Sequence, residues 1–330
     1  MTHIEEGAER PPDTATNARV AWPASDWQMA GTASLVRGAS YIVRATPIPM
    51  RYAPSDAIAA LVARGWSGRR LVARNFATLT GLGERDAVVR ALTQRSLRNF
   101  GRMAVDFLAA CTMPRDELLR WVTTEGETYL AEALAAQRGV ILAMPHLGSW
   151  DVAGAYAAGY GFPVTVVVEN DLTARMVAGA RRYEGVRIVA RDRSLRALFA
   201  ALARNEGVVL ISDIAHGETR TVRVPFFGRL AAFPTGPAHL ALRTGAPIIV
   251  LGCVRREDGR YRIEGQEPLW PNAAAPNAAD APVAQAAVRV LTERVVAGYE
   301  RLIARYPDHW YPFHTVWDDV SSPATKVGNG

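Results

Sequence analysis

The chain has 330 residues, 49% of them hydrophobic, and its two cysteines, Cys111 and Cys253, lie far apart, which excludes a disulfide framework and a cysteine metal pattern. The net charge is +6 and Lys326 is the only lysine, so the positive charge is almost all guanidinium, which suits anionic partners, although an arginine-rich codon bias produces the same composition. No stretch is apolar for the roughly 18 residues of a membrane span, and no signal peptide pattern opens the chain, so we expect a protein that is cytosolic or peripheral to a membrane.

The N-terminal third of the chain is predicted to be helical. Residues 1–26 are polar and contain prolines, so we expect a disordered tail there. Ser55 or Asp56 is expected to start one helix, and the apolar periodicity from Glu84 to Leu108 predicts a longer one. Together these elements predict a helical region over residues 27–120.

This helical region carries a concentration of positive charge. Between residues 64 and 102 only Glu84 and Asp86 are acidic, against nine arginines: Arg64, Arg69, Arg70, Arg74, Arg85, Arg90, Arg95, Arg98 and Arg102. With Trp66 and Phe76 as exposed neighbours, such a surface would suit an anionic bilayer. The alternatives are a solvated helix face that packs on the next domain, and nucleic acid binding, for which the sequence holds no fold signature.

Strand and helix patterns alternate over residues 121–318. The predicted strands are Val140 to Met144, Val164 to Glu169, Val186 to Ala190, Val208 to Asp213 and Ile248 to Val254. The predicted helices are Glu127 to Gln137, Asp151 to Ala158, Leu172 to Tyr183, Leu195 to Asn205, Pro237 to Arg243 and Val283 to Arg305, the last after a low-complexity loop from Pro271 to Pro282. This alternation predicts an α/β core with a mostly parallel central sheet and helices on both faces. We expect this core, the helical region over 27–120 and a tail at 319–330 to form a single domain over residues 27–330.

The stretch ILAMPHLGSWD joins a predicted buried strand to a helix that Ser149 caps. It places His146 at the carboxyl end of the strand and Asp151 in the first helical turn, where open α/β sheets bind ligands. Paired across the turn, the Asp151 carboxylate would fix the imidazole tautomer and make His146 a general base. In the alternative interpretation His146 ends a strand and Asp151 only favours the helix N-terminus.

Several segments in order resemble the bacterial lipid A biosynthesis lauroyl/myristoyl acyltransferases of the lysophospholipid acyltransferase superfamily. They are RRLVARNF, HLGSWD, VPFFGR, FPTGPAHLALRTGAPIIV and DHWYPFHTVWDD, and the last is most similar to the phosphatidylinositol mannoside acyltransferase branch. The resemblance implies a glycerolipid acyltransferase-like sandwich. It also implies a peripheral enzyme at the cytoplasmic face of the plasma (inner) membrane, without a cofactor.

The implied reaction transfers a fatty acyl group from acyl-CoA or an acyl carrier protein to a hydroxyl of a glycolipid such as a phosphatidylinositol mannoside. A lipid A precursor and a lysophospholipid are alternative acceptors. A catalytically silent lipid-binding protein is the alternative from another class, and the intact His146 and Asp151 argue against it. The expected partners are therefore the acyl donor, the glycolipid and an anionic membrane surface, with no nucleic acid.

By analogy with the family, His146 removes the proton of the acceptor hydroxyl, which attacks the thioester directly, and Asp151 orients the histidine. No acyl-enzyme forms. The tetrahedral oxyanion needs hydrogen-bond donors, and we expect the backbone N–H groups of Gly148 and Ser149, at a helix N-terminus, to supply them. We expect no metal, because the six histidines are scattered and the chemistry needs none.

Two acidic positions and one basic position match family residues near the active site. Glu169 at a strand end and Arg181 on the next helix match a pair near the active-site mouth, or else form a surface ion pair. Asp213 or Glu218 is the expected third carboxylate. The choice stays open because Arg223 stands where the mannoside branch has an acidic residue, and the neighbouring His216 is expected to be a loop histidine.

The remaining predicted site residues would shape the substrate cleft. Phe226, Phe227 and Gly228 are expected to line or close it. Thr235 is expected to be the N-cap of a helix whose dipole could hold an anionic headgroup or a carrier phosphate. Structural capping explains this threonine equally well.

Overall fold

The structure is a computed structural model that describes residues 26–168, 185–191, 194–215, 219–271 and 282–317. Within these ranges it has the predicted α/β architecture, with a helical N-terminal region and a mostly parallel sheet. Several predictions lie outside the described residues: the disordered tail before residue 26, Glu169, the helix from Leu172 to Tyr183 with Arg181, His216, Glu218, the low-complexity loop and the final tail. The division into domains stays a prediction.

The helical region comprises six helices. They are α1 (Asp26–Ala45), α2 (Ile48–Arg51), α3 (Ala53–Gly65), α4 (Arg69–Thr80), α5 (Ala87–Cys111) and α6 (Arg115–Trp121). Helix α5 begins where the Asp86 carboxylate accepts a hydrogen bond from the Val88 N–H at 2.8 Å. This N-cap places the start of α5 three residues after the predicted Glu84.

The central sheet has seven strands in the order β1-β9-β8-β2-β5-β3-β4. The strands are β1 (Val122–Glu125), β2 (Val140–Met144), β3 (Val164–Val168), β4 (Val186–Ala190), β5 (Gly207–Ile211), β8 (Ile248–Arg255) and β9 (Tyr261–Gly265). Only the β8 and β9 pairing is antiparallel. The carboxyl ends of β2, β5, β3 and β4 therefore lie at one edge, where open α/β sheets bind ligands.

Helices cover both faces of the sheet. One face carries α7 (Glu127–Ala135) and α8 (Trp150–Tyr160), and the other carries α9 (Ser194–Ala203), α10 (Gly236–Thr244) and α11 (Pro282–Arg305). A separate hairpin of β6 (Thr221–Phe226) and β7 (Arg229–Pro234) packs against α11. The extent of β2 and of β4 is as predicted, and the other predicted elements within the described ranges differ by a few residues at their ends.

Four strands of the structure were not predicted from the sequence: β1, β6, β7 and β9. The first and last are short and only partly buried, so they lack a continuous apolar run. The hairpin turns on two residues, Phe227 and Gly228, with φ of 48° and 74°. Positive φ at both central positions is the geometry of a tight hairpin turn. The pair Phe-Gly is not one of the sequences typical of such a turn, so the hairpin was not predicted.

Helix α4 packs inward, which corrects one expectation about the basic region. Phe76 is 0% exposed and packs edge-to-face on Trp310, so the prediction that it is exposed is wrong, whereas Trp66 is 38% exposed. The reason is a pair of hydrogen bonds from the Asn75 amide to the carbonyls of Pro312 and His314, at 2.9 and 2.7 Å. They draw this face of α4 against the C-terminal segment.

No helix among the described residues combines the length and the apolar character that crossing a bilayer requires.

Candidate active site

The site is built on the loop that joins β2 to α8. Ser149 caps α8 as predicted, since its hydroxyl accepts a hydrogen bond from the Val152 N–H. Gly148 has φ of +70°, and a Cβ at this position would lie 1.9 Å from the Cys253 carbonyl oxygen. Only glycine fits such a close approach of two backbones, so the loop is held tightly against β8.

His146 is paired with the carboxylate of Asp213. Its Nδ1 lies 2.6 Å from Asp213 Oδ1, and its backbone N–H donates to Oδ2 at 2.9 Å. The two residues meet because β2 and β5 are parallel neighbours in which Met144 aligns with Ile211, and each residue follows its strand by two positions. The bidentate contact fixes both the ring and the start of the loop.

The environment of Asp213 keeps it ionised. Its side chain is 3% exposed, against 24% for that of His146. Burial opposes ionisation and by itself would raise the pKa of the Asp213 carboxyl. The pKa is nevertheless lowered below its usual value, because the charge of His146, the hydrogen bonds from His146 and the charge of His314 together outweigh burial. A buried carboxylate held in this way stabilises an imidazolium on His146.

Asp151 lies beside this dyad, in the first turn of α8. It is 7% exposed, and it lines the same groove as His146. The sequence analysis gave Asp151 the role of orienting the imidazole, but the carboxylate at Nδ1 is that of Asp213. Asp213 was predicted only as a candidate third carboxylate, from its place at a strand end and from the family resemblance. Its pairing with His146 was not predicted, because the two residues are 67 positions apart in the chain.

The C-terminal segment holds the dyad in place through hydrogen bonds to both of its residues. Trp310, 1% exposed, donates its indole N–H to Asp213 Oδ2 at 3.4 Å, and Ser96 donates to the Trp310 carbonyl at 2.6 Å. The Tyr311 N–H donates to the His146 carbonyl at 2.9 Å. Sequence analysis assigned no site role to Trp310, although the aromatic DHWYPFHTVWDD segment that contains it was a signal.

A groove of about 1120 Å³ opens at the dyad. Its described lining includes Phe100, His146, Trp150, Asp151, Val166, Arg191, Leu198, Ser212, Arg220, Thr235, His239 and Arg243. Thr235 occupies the N-cap position of α10, but its hydroxyl donates to the Arg220 carbonyl at 3.1 Å and makes no capping bond. The structure thus places three of the predicted residues, His146, Asp151 and Thr235, on one groove. Asp213 is bonded to His146 and does not line the groove itself.

Comparison with known proteins shows the family of this chain. A family model for bacterial lipid A biosynthesis acyltransferases matches residues 23–318. The chain belongs to this family. It is 28% identical to the phosphatidylinositol mannoside acyltransferase of Mycolicibacterium smegmatis over 284 residues, which is 84% of this chain and 88% of that protein. The protein of the same name from Mycobacterium tuberculosis is 32% identical over 196 residues, or 56% of this chain and 61% of that protein.

One predicted feature of the acyltransferase site is corrected by the structure. The Gly148 N–H donates to the His309 carbonyl at 2.8 Å, and the Ser149 N–H donates to the Cys253 carbonyl at 2.7 Å. Both groups were predicted to be oxyanion donors. Since each already bonds a neighbouring strand or turn, the two residues fix the loop in place and do not present donors to the groove.

The predicted cleft aromatics lie in the acyltransferase core and at a turn. Phe226 is 1% exposed, and its ring stacks on Trp317 at a centroid distance of 5.4 Å. Phe227 and Gly228 form the hairpin turn, where the Phe227 N–H donates to the Glu300 carboxylate. None of the three is among the described groove-lining residues. Phe226 supports the C-terminal segment, and Phe227 joins the hairpin turn to α11.

A second cavity of this acyltransferase, of about 310 Å³, lies between the sheet and helices α7 and α8. Aliphatic strand residues form its floor: Leu142, Met144, Val164, Val186, Ile188, Val209, Ile249, Leu251 and Ile263. It shares Trp150, Asp151, Val166 and Ile211 with the groove, so the two spaces adjoin beside the dyad.

Within the described ranges, no three histidine, cysteine or carboxylate side chains come together as metal ligands.

Proposed function

We propose that this acyltransferase is a membrane-peripheral O-acyltransferase that moves a fatty acyl group from acyl-CoA or an acyl carrier protein to a hydroxyl of a glycolipid such as a phosphatidylinositol mannoside. The observation that supports this most is the His146–Asp213 dyad at the place where a large groove with several charged lining residues adjoins an aliphatic cavity. The class of acceptor rests on the names of the mycobacterial relatives.

In the proposed mechanism His146 acts as the general base. With its Nδ1–H donated to Asp213, Nε2 is the nitrogen that takes the proton of the acceptor hydroxyl. The oxygen attacks the thioester carbonyl, the tetrahedral adduct collapses, and the thiolate leaves with the proton that the imidazolium returns. Asp151, whose carboxylate borders the same groove, adds negative charge that favours the imidazolium.

The aliphatic cavity is suited to the acyl chain. Its floor is the apolar face of six strands, and it meets the groove at Trp150 and Asp151, next to His146. Each methylene group that leaves water for such a surface contributes about 0.8 kcal/mol. A chain seated there would place its thioester carbonyl at the dyad, while the rest of the donor and the acceptor occupy the larger groove.

The proposal retains the other predicted substrate contacts. Glu169 and Arg181 are proposed at the mouth of the groove, and no cofactor or metal takes part. Because attack is direct, incubation with acyl donor alone should leave the intact protein without an acyl adduct in its mass spectrum. A stoichiometric adduct on Ser149 or a cysteine would indicate a ping-pong route instead.

Helices α1 to α3 provide a surface for the proposed membrane contact. Large apolar side chains are 56% to 77% exposed there: Leu35, Tyr41, Ile42, Ile48, Met50, Ile58 and Leu61. Within the described residues, three of the nine arginines pair with acidic side chains, namely Arg74 with Glu84, Arg95 with Asp308 and Arg102 with Asp56. The apolar patch thus supplies a part of the binding that salt does not screen, beside arginines whose attraction salt weakens.

Labelled acyl-CoA offered with separate pools of phosphatidylinositol mannoside, lipid A precursor and lysophospholipid tests the reaction and the acceptor. We expect label in the mannoside pool with the parent protein and none with His146→Ala. Transfer by His146→Ala at more than about a tenth of the parent rate would exclude the mechanism. A tenfold loss corresponds to an increase of about 1.4 kcal/mol in the activation free energy. Label in another pool would identify a different acceptor and leave the proposed acyl-transfer reaction unchanged.

Vesicle co-sedimentation tests the membrane surface. Reversal of Arg69, Arg70 and Arg74 to Glu should lower binding to anionic vesicles at low salt, and the double variant Ile58→Ser, Leu61→Ser should lower the binding that persists at high salt. Val290→Ser, which removes a side chain with 54% exposure from α11, is the matched control. Binding equal to the parent in both variants would assign these helices a packing role only.

A further inference from the structure

Several basic side chains line the groove beyond the dyad. Arg191, Arg220 and Arg243 line the groove together with His239. Among the described lining residues, Asp151 is the one carboxylate, and it belongs to the catalytic end. The groove therefore has an electropositive part that the acyl-transfer chemistry at His146 does not use.

Hydrogen bonds join the elements that carry these arginines. The Arg191 guanidinium donates to the Thr219 hydroxyl. The carbonyl of the next residue, Arg220, accepts from both the N–H and the hydroxyl of Thr235, at 3.0 and 3.1 Å. The end of β4, the segment before β6 and the start of α10 are thus tied into one wall.

Helix α10 adds its polar face to the same wall. Thr235, His239 and Arg243 follow one another at intervals of four residues, and all three line the groove. Residues four apart lie on one side of a helix. The groove is therefore lined by basic side chains from the end of β4, from the segment before β6 and from one face of α10.

Two of these three arginines are accessible to a ligand in the groove. Arg220 and Arg243 are exposed, and no ion pair links either of them to an acidic side chain in the part of the chain that the structure describes. Guanidinium groups bind phosphate oxygens through paired, charge-assisted hydrogen bonds. A ligand with one or more phosphate groups matches both the charge and the donors.

The distance from the dyad suits an elongated substrate. Arg191 directly follows β4, which is three strands from β2 in the sheet. At a strand spacing of about 4.8 Å, the two strand ends are about 14 Å apart. A phosphate at this wall and a thioester or hydroxyl at His146 would therefore belong to separate ends of the bound substrates.

We propose that Arg191, Arg220 and Arg243 form a phosphate subsite of the groove. The proposal rests on the proposed function, because it treats the groove as the site of an acyl donor and a lipid acceptor. Two sources carry the same chemistry: the phosphates of a phosphopantetheine thioester, and the phosphodiester of a phosphoinositide acceptor.

Direct binding to the full-length chain tests the subsite without requiring turnover. Isothermal titration calorimetry would use coenzyme A in one arm and a short-chain, water-soluble phosphatidylinositol in the other. The double variant Arg220→Gln, Arg243→Gln should raise the dissociation constant for at least one probe by a factor of about 10 or more, since two charge-assisted pairs are lost. Arg196→Gln, on the exposed side of α9, is the control and should bind as the parent does.

The outcomes separate the sources. A weakened coenzyme A arm assigns the subsite to the donor, and a weakened phosphatidylinositol arm assigns it to the acceptor. The subsite is overturned if neither probe binds the parent, if neither arm changes in the double variant, or if Arg196→Gln weakens binding as much. If the parent binds coenzyme A through these arginines but transfers label to no lipid, the proposed function fails and the subsite stands.

Discussion

The two faces of the central sheet are filled differently, although the same strands build both. On the face under α9, α10 and α11, Ile141, Ala143 and Val250 are buried in one continuous core. On the opposite face, Leu142, Met144 and Leu251 of the same strands border the cavity beneath α7 and α8. Successive residues of a strand point to opposite faces, so one apolar run supplies both a packed scaffold and an aliphatic pocket.

The difference shows where the fold keeps its stability and where it leaves room for a ligand. The large helix α11 and the hairpin complete the packed face. The small residues of α8, such as Gly154 and Ala157, leave space above the other face. The dyad lies at the edge common to both, at the ends of β2 and β5.

The largest expected effect comes from removing the carboxylate at this shared edge. Asp213→Asn should lower kcat by about 10³-fold or more, because an amide neither holds the reactive tautomer nor stabilises the imidazolium. Asp151→Asn should be less impaired, since the carboxylate at Nδ1 remains. Initial rates with saturating donor and acceptor give the comparison, with thermal melting as the folding control. A greater loss in Asp151→Asn would return the orienting role to Asp151.

A smaller effect distinguishes the packed face from the cavity face. Ile141→Ala should lower the free energy of unfolding by about 2–4 kcal/mol, because it opens a hole in a close-packed core. Leu142→Ala, one residue along the same strand, should cost about half as much, since part of that side chain already borders a cavity. Urea denaturation of the pair measures the difference. Equal losses would mean that the two faces are packed alike.

The smallest expected effect tests whether the acyl chain binds in the cavity. A Cβ added to Gly154 meets no atom within 4 Å, and this glycine lines the cavity from α8. Gly154→Leu should therefore lower turnover of a long-chain donor relative to a short-chain donor by about tenfold, or about 1.4 kcal/mol. The measurement is the ratio of kcat/KM for the two donors.

Gly159→Ala is the matched control for the gain in helix propensity at Gly154. It lies on the same helix, outside the cavity lining, and its new methyl would make an ordinary contact of 3.5 Å with Leu118. Its chain-length ratio should equal that of the parent. An unchanged ratio in Gly154→Leu would place the acyl chain elsewhere.

The sequence by itself determined the local part of this structure. Apolar runs of strand length fixed β2 and β4 to the residue, and Ser149 fixed the start of α8, because these signals act between residues that are close in the chain. The same signals placed His146 between a strand and a helix, whereas its proposed catalytic role came from the family resemblance. The family motifs added the class of reaction, which the match over residues 23–318 shows.

Only the tertiary structure decided which groups meet. Asp213 rather than Asp151 lies at His146 Nδ1 because β5 pairs in parallel with β2, and this register joins residues 67 positions apart. Gly148 and Ser149 lost their expected oxyanion role because β8 and the C-terminal turn, which are distant in sequence, accept their N–H groups. Phe76 is buried because Asn75 bonds a segment more than 230 residues away. Each of these outcomes depends on a non-local hydrogen bond, which residue spacing along the chain does not encode.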